Sequence, residues 1–161
     1  MNIEISKLKI HKVEEADLSS MVQYRIDYLT EMQGKRDKEF IGQLKTEMYG
    51  FFKKSISNGS FMGLVAQFEG HILAYGGMVI REIPGDFNRS SYLEADILNM
   101  YTIPSARRKG ISTIILKQLL SEAKLIGITK VALHTSKDGE KLYRSVGFNE
   151  PLFPYLELPL T

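Results

Sequence analysis

The chain has 161 residues, 43% of them apolar and 25% charged, which is the size and composition of one folded domain spanning residues 1–161. It contains no cysteine, which excludes thiolate catalysis, disulfide frameworks and cysteine-ligated metals and favours the cytoplasm as its location. A formal net charge of +2 and the lack of any long apolar stretch argue against a nucleic-acid partner and against a membrane-embedded protein.

The first third of the chain predicts one strand followed by two helices. Apolar residues alternate imperfectly over residues 3–10, which favours a strand over a helix. Apolar residues then recur at helical spacing over residues 18–29 and again over residues 40–52. Ser57, Asn58 and Gly59 break the second pattern, so we expect two amphipathic helices that end before this point.

Two strand-like runs come next, at residues 61–68 and 72–81. The residues between them are Glu69, Gly70 and His71, and this short connection containing a glycine predicts a hairpin of antiparallel strands. Gly76 and Gly77 lie inside the second run, where they suggest a bulge or the close approach of another chain or of a ligand.

The following segment predicts a strand–helix–strand unit. Residues 83–91 are rich in turn-forming residues and predict a loop, and residues 92–103 form a long apolar run that predicts the central strand. Residues 111–126 have apolar residues at helical spacing, and Gly127 ends that helix. Residues 130–135 then predict a strand parallel to the central one, because a right-handed crossover through a helix joins parallel neighbours.

The last segment predicts a short helix and one more strand. Ser136 can cap the helix and Gly147 can end it, and residues 155–158 predict an edge strand among prolines. The fold class is therefore α/β (α+β). We expect a mixed central sheet, mostly antiparallel with one parallel pair, with helices on both faces.

The start of the third helix has the features of an anion-binding site. The central strand ends at Pro104, and a basic turn containing Gly110 opens the helix. The first amide groups of a helix lack partners within the helix and lie at the positive end of its dipole. Gly110 lets the backbone approach a ligand closely, so a diphosphate fits this position.

The sequence IPSARRKGIS at this turn resembles the acyl-CoA-binding motif of the GNAT N-acetyltransferases. The family pattern is Gln or Arg, two variable residues, Gly, one variable residue, then Gly or Ala. The matching residues here are Arg107, Arg108, Lys109, Gly110, Ile111 and Ser112, with Ser112 departing from the pattern. The resemblance implies that this segment binds the phosphates of acetyl-CoA, the acetyl donor and cosubstrate.

A second segment, KVALHTSKDGEKLYRSVGF, resembles the next strand and helix of the same family. Its Leu142–Tyr143 pair matches the family's position for the general acid, so the resemblance implies that Tyr143 protonates the departing thiolate of CoA. In the family the strand before the motif splays from its parallel neighbour, and the pantetheine arm pairs with main-chain groups in the gap. Met100, Tyr101 and Thr102 are the matching positions here.

Acetyl transfer to an amine also requires the loss of a proton. An alkyl amine whose ammonium form has a pKa of about 10.4 is neutral at pH 7 in only about one molecule in 2,500. Deprotonation at pH 7 therefore costs roughly 4.6 kcal/mol of free energy. Glu94 and Asp96 lie two residues apart on the central strand and so point to one face, and Asp96 falls on the family's base position. Asp96, with Glu94 beside it, is the candidate base, acting directly or through water.

Each of these residues also has a plainer interpretation. Arg107 to Ser112 could be a solvated basic turn, Tyr143 a core or rim aromatic, and Glu94 and Asp96 solvent-facing residues of a half-exposed strand. His134, at a strand end without a second metal-ligand residue type nearby, is interpreted as a structural histidine, and we expect no metal site.

The sequence does not identify the acceptor or the oligomeric state. A small primary amine is the leading acceptor, and acidic residues at the cleft would suit a cation. The alternatives are a protein or peptide amine, an aminoacyl-tRNA, or a non-catalytic acyl-CoA sensor. The proline-rich final strand leaves an edge that could pair in a homodimer.

Overall fold

The computed structural model describes residues 3–160, in which five strands and four α-helices are connected by short turns. The strands are β1 (Lys9–Lys12), β2 (Phe61–Phe68), β3 (His71–Pro84), β4 (Ser91–Thr102) and β5 (Ile128–Leu133). The helices are α1 (Leu18–Gln33), α2 (Lys38–Ser57), α3 (Ile111–Leu125) and α4 (Lys137–Ser145). Three 3-10 turns span Ile5–Lys7, Glu15–Asp17 and Pro104–Ala106.

The five strands form one sheet in the order β1-β2-β3-β4-β5. The first four strands pair antiparallel, and β4 and β5 pair parallel with α3 as the connection between them. This confirms the predicted mixed sheet with a single parallel pair among the described residues. Parallel neighbours need such a crossover, because a tight turn can only reverse the chain.

The sheet has a separate core on each face. On one face, apolar residues of α3 pack on the sheet, with Ile115 and Leu119 fully buried, and α4 borders the same cluster. On the other face, α1 and α2 contribute Met21 and Phe52 against Phe61 and Tyr75. Burying one such side chain contributes about 1.5–3 kcal/mol, so both helix layers are held mainly by apolar contact. The predicted placement of helices on both faces is confirmed.

Several turns and helix caps in the structure are formed by residue types that favour them. Glu69 and Gly70 have φ of 49° and 81° and form a two-residue turn of the kind that joins antiparallel strands. Asp37 caps α2, accepting from the amide of Glu39 at 2.8 Å. Ser136 caps α4, accepting from the amide of Gly139 at 3.3 Å.

The first predicted strand is displaced. Residues 5–7 form a 3-10 turn, with the amide of Leu8 donating to Ile5 at 3.1 Å, and the strand itself begins at Lys9. The apolar spacing explains the difference. The step from Ile5 to Leu8 is three residues, which fits the three-residue period of a 3-10 turn and interrupts the alternation that a strand requires.

Two other boundaries also differ from the prediction. The β3 strand continues to Pro84, paired with Ser91, so the predicted loop over residues 83–91 shortens to residues 85–90. The β5 strand begins at Ile128, directly after Gly127, two residues earlier than predicted. In both cases pairing with β4 extends regular structure beyond the point at which the apolar pattern alone would end it.

The predicted edge strand at residues 155–158 is wrong, because residues 149–160 contain no regular secondary structure. Pro151, Pro154 and Pro159 remove the amide donors that a strand in this tail would need. The tail leaves several large apolar side chains exposed: Leu152, Phe153, Tyr155, Leu156, Leu158 and Leu160. None of the helices within residues 3–160 has the length and apolar character required to cross a bilayer.

The two glycines inside β3 are explained by core packing and not by a ligand. A Cβ at Gly77 would collide with the ring of Phe61, and one at Gly76 would collide with Met100 and Ile115. The register of β3 with β4 does shift between Gly77 and Met78, but the extra residue is Leu98 on β4, so the bulge lies in the strand opposite the glycines. The close approach expected at these glycines is therefore made by the protein's own side chains.

Candidate active site

The bulge in β4 divides the strand into two parts that face different cores. Gly77 pairs with Asn99 and Met78 with Ile97, so Leu98 is the extra residue. Ile97 belongs to the core under α3, whereas Tyr101 belongs to the core under α1 and α2. An extra residue in one strand shifts the alternation by one position, so Asn99 and Tyr101 face α1.

The parallel pair separates immediately after this bulge begins. Pairing of β4 with β5 ends at Ile97 and Leu133, and the rest of β4, residues 98–102, continues without a partner in β5. Main-chain groups on the β5 side of Met100, Tyr101 and Thr102 therefore border a gap in the sheet. An extended ligand can pair with such an open strand edge as an added strand would.

The backbone before α3 contains two residues in the left-handed conformation, and the helix start has no side-chain cap within residues 3–160. Arg108 and Gly110 have φ of 59° and 80°, in the left-handed region that turns successive amides to the same side. Gly110 is the N-cap of α3, and no side chain within residues 3–160 caps this helix. The first intrahelical bond is from Ile114 to Gly110 at 3.1 Å, so the amides of the preceding turn are left for a ligand. These features fit a diphosphate at this position.

Arg107 forms an ion pair with a residue of α1. Its Nη2 contacts the two carboxylate oxygens of Glu31 at 2.7 and 2.9 Å, and its Nε donates to the carbonyl of Thr102 at 2.9 Å. The guanidinium also lies 5.5 Å from the ring centre of Tyr101, whose hydroxyl donates to Glu31 at 3.1 Å. The hydrogen bond to Glu31 raises the pKa of Arg107 above its ordinary value. Arg107 thus braces the loop against α1, whereas Arg108 and Lys109 are exposed.

Ser112, which departs from the family pattern, has a partner within the fold. Its hydroxyl lies 2.9 Å from the hydroxyl of Thr102, the last residue of β4. This hydrogen bond links the end of the strand to the first turn of α3. The additional hydroxyl is therefore directed towards β4, and the serine is compatible with close approach of a ligand to the neighbouring amides.

Glu94 and Asp96 lie on one face, as predicted, and both are paired with cations. Arg81 on β3 contacts Asp96 and also Glu94, the latter at 3.5 Å, and Lys130 on β5 contacts Glu94 at 2.8 Å. The side chain of Asp96 is 39% exposed and that of Glu94 is 15% exposed. The two carboxylates are therefore less available to a cationic acceptor than the sequence suggested.

Tyr143 lies on α4 and is partly buried, with its ring 5.9 Å from that of Phe148. Burial raises the pKa of the Tyr143 hydroxyl above its ordinary value, and the nearby hydroxyl of Tyr28 on α1 raises it further. Tyr143 packs against the edge of the core under α3, whereas Tyr28 packs against the core under α1 and α2.

The remaining sequence predictions concern His134 and a metal site. His134 is exposed, with its ring 6.3 Å from that of Tyr155. No group of three or more His, Asp or Glu within residues 3–160 is arranged to hold a metal ion.

Four polar residues on the α1 face were not recognised from the sequence: Arg25, Tyr28, Tyr75 and Asn99. Arg25 donates a hydrogen bond to the side-chain oxygen of Asn99. One signal for Arg25 was present in the sequence, because it falls on the apolar stripe of α1, three residues after Val22 and seven after Leu18. A charged residue in such a stripe requires a partner or a function.

Comparison with known families confirms the family resemblance that the sequence indicated. The model of the acetyltransferase (GNAT) family matches residues 22–148, so the chain belongs to the GNAT acetyltransferase family. A comparison with curated proteins found no match.

Solved structures with the same fold include several acetyltransferases. A predicted acetyltransferase from Clostridium acetobutylicum, crystallised with acetyl-CoA, is 27% identical, with a TM-score of 0.82 over 95% of this chain and 96% of that one. A GCN5-related N-acetyltransferase from Ralstonia eutropha is 22% identical, with a TM-score of 0.75 over 94% and 98%. Glucosamine-6-phosphate N-acetyltransferase from Arabidopsis thaliana is 20% identical, with a TM-score of 0.67 over 94% and 97%.

Proposed function

We propose that this chain transfers an acetyl group from acetyl-CoA to a primary amine of a small molecule. The observation that carries the proposal is the uncapped start of α3, where Gly110 and Arg108 turn main-chain amides towards one region beside the open edge of β4. A family member of this fold crystallised with acetyl-CoA supports the choice of donor. Acetyl-CoA, when bound, supplies the acetyl group and a thiolate leaving group.

The residues of the proposed donor site have distinct tasks. The amides of Ile111 and Ser112, opened by Gly110, would hold the diphosphate, and Arg108 and Lys109 would add positive charge beside it. Arg107 would hold the loop in place through Glu31. The backbone of Met100, Tyr101 and Thr102 would then pair with the pantetheine arm in the gap between β4 and β5.

The proposed chemistry requires the acceptor nitrogen to lose two protons, one before it attacks and one as the amide forms, and the departing thiolate to gain one; the second proton from the nitrogen restores the general acid. Tyr143 would donate its hydroxyl proton to the departing thiolate, and its raised pKa keeps that proton in place at neutral pH. The acceptor amine must lose a proton before it attacks. Asp96, with Glu94 beside it, would accept this proton through water, because the salt bridges to Arg81 occupy the carboxylates.

The pH profile tests the assignment of Tyr143. A general acid must be protonated, and the pKa of Tyr143 is raised above the ordinary tyrosine value of about 10. We therefore expect kcat/KM to rise with pH as the amine loses its proton, with no basic decline below about pH 10. Steady-state rates between pH 6 and 9.5 would measure this. A decline that begins below pH 9 would contradict the role of Tyr143.

Thiol release from acetyl-CoA, followed colorimetrically, tests the function as a whole. The acceptor panel would contain small amines, peptides and aminoacyl-tRNA, with a reaction lacking acceptor as the control. The proposal predicts release with at least one class of small amine. Release only with peptides or with tRNA would replace the proposed acceptor, and tight CoA binding without any release would indicate a sensor.

The homodimer remains a prediction. The exposed apolar side chains of residues 149–160 and the outer edge of β5, which has no strand partner within residues 3–160, offer a surface for a second copy.

A further inference from the structure

The polar cluster on the α1 face is built by the bulge in β4. Tyr75 pairs with Tyr101, and Gly77 pairs with Asn99, so Tyr75 and Asn99 are diagonal neighbours on one face of the sheet. Without the extra residue at Leu98, Asn99 would face the α3 core along with Ile97. The bulge instead directs its amide towards α1, where Arg25 donates to its side-chain oxygen.

Two buried groups in this cluster have no hydrogen-bond partner within the described part of the chain: the Tyr75 hydroxyl and the side-chain nitrogen of Asn99. Tyr75 is 1% exposed and Asn99 is 4% exposed. Leaving a buried polar group unpaired costs about 1–3 kcal/mol. A fold that retains two such groups side by side is arranged for a ligand that would pair with them.

The charge of the cluster is positive and uncompensated. Within residues 3–160, no carboxylate lies within 4.0 Å of the guanidinium of Arg25, although Arg81, Arg107 and Arg144 each have at least one such partner. Arg25 is itself half-buried. A guanidinium in this environment matches an oxyanion, which can accept from the guanidinium and from neighbouring neutral donors together.

All the available groups are donors at neutral pH. Burial raises the pKa of the Tyr75 hydroxyl, and the positive charge of Arg25 offsets only part of that rise, so Tyr75 keeps its proton. With its oxygen bonded to Arg25, Asn99 has only its amino group left to donate. The ligand atom that fits between them is therefore an acceptor with negative charge.

The cluster lies beside the proposed reaction centre. Asn99 directly precedes Met100 on the part of β4 that continues beyond its pairing with β5, and Arg25 donates to Asn99. A small acceptor held by Arg25 would therefore lie beside the open edge of β4, where the proposed function places the acetyl donor.

We propose that Arg25, Tyr75 and Asn99 bind the carboxylate of the acceptor, and that the substrate is an amine of the amino-acid class. This inference rests on the proposed acetyl transfer and specifies its acceptor. One guanidinium matches the single charge of a carboxylate better than the charge of about −1.5 to −2 on a phosphate monoester. Glu94 and Asp96 are paired with Arg81 and Lys130, which argues against a polycationic acceptor.

The test compares matched acceptors. Thiol release from acetyl-CoA would be measured with the twenty common amino acids and with their α-carboxamides, which keep the amine but lose the charge. We expect the best acid to exceed its carboxamide at least 100-fold in kcat/KM. In Arg25→Gln this ratio should fall below tenfold while the dissociation constant for CoA stays within twofold. Arg36→Gln, which changes an exposed arginine in the turn after α1, is the matched control and should keep the wild-type ratio.

Tyr75→Phe gives a second test that does not depend on Arg25. Because the hydroxyl has no partner within residues 3–160, its removal should leave thermal stability unchanged or increased in the absence of acceptor. The same change should lower kcat/KM for the acid at least tenfold. A fall in stability with unchanged kcat/KM would show that the hydroxyl has a structural role and would overturn the assignment.

The possible outcomes separate this inference from the proposed function. The carboxylate site is wrong if CoA binds and acids and carboxamides react equally, or if CoA binds and no amino acid reacts. The proposed acetyl transfer would then be tested by the other amines in the panel. A preference for glucosamine 6-phosphate or for a polyamine over every amino acid also overturns it. Failure to bind CoA would instead remove the proposed function itself.

Discussion

We expect Tyr143→Phe to lower kcat more than tenfold while affinity for acetyl-CoA changes less than twofold. The substitution removes only the hydroxyl, so the ring still packs against Phe148. Loss of a general acid slows the departure of the thiolate, and a tenfold loss corresponds to about 1.4 kcal/mol in the barrier. Donor affinity should be kept, because the proposed function places the phosphates at α3 and not at α4. Steady-state thiol release and calorimetric titration with CoA would measure the two quantities.

Tyr155→Phe is the matched control, because Tyr155 is an exposed tyrosine in the tail. It should leave both kcat and CoA affinity unchanged. An unaltered turnover in Tyr143→Phe would remove Tyr143 from the mechanism. Equal losses of CoA affinity and turnover would indicate that the hydroxyl binds the donor and has no part in proton transfer.

We expect Gly110→Asp to lower affinity for CoA at least 100-fold. Gly110 has φ of 80°, and a Cβ there would meet no heavy atom of the described chain within 4 Å, so a side chain at this position extends into the proposed diphosphate site. Asp and Asn tolerate the left-handed conformation better than most residues. At about 5 Å and an effective dielectric constant near 20, one unit charge repels another by roughly 3 kcal/mol before screening by salt.

Gly110→Asn is the matched variant, with the same shape and no charge. It should weaken CoA binding by about tenfold through obstruction alone, and the further loss in Gly110→Asp should shrink as salt is raised. Calorimetric titration at low and high ionic strength would measure both effects. Equal affinities for the two variants would contradict a phosphate at this helix start.

Much of the fold was predictable because its signals are local in the chain. The turn at Glu69 and Gly70 and the cap at Ser136 depend on neighbours a few residues away, and the structure contains both. The loop at Gly110 was predictable for the same reason. A strand end, a basic turn and a glycine before an apolar helix are contiguous in the sequence.

The contacts around the proposed acceptor site could not be predicted in this way. Arg25 and Asn99 are 74 residues apart, and Arg107 and Glu31 are 76 apart. Asn99 faces α1 only because Leu98 is an extra residue, and no glycine or proline marks this bulge in β4. A shift of one residue reverses the facing of every later side chain in the strand.

The ion pairs of Glu94 and Asp96 could not be predicted for a related reason. Their common face followed from the two-residue period of a strand, and the structure has it. Their partners Arg81 and Lys130 lie on the two neighbouring strands, whose register is set by pairing across the whole sheet. The sequence therefore indicated two free carboxylates where the fold provides two ion-paired ones.

In the proposed function, acetyl-CoA binds because main-chain amides at the start of α3 hold its diphosphate. Calorimetric titration of the purified protein with CoA, and separately with pantetheine, which lacks the diphosphate, tests this most directly. We expect CoA to bind with a dissociation constant between about 1 µM and 1 mM and pantetheine to bind at least 100 times more weakly. No detectable association with CoA, or equal affinity for the two compounds, would contradict it.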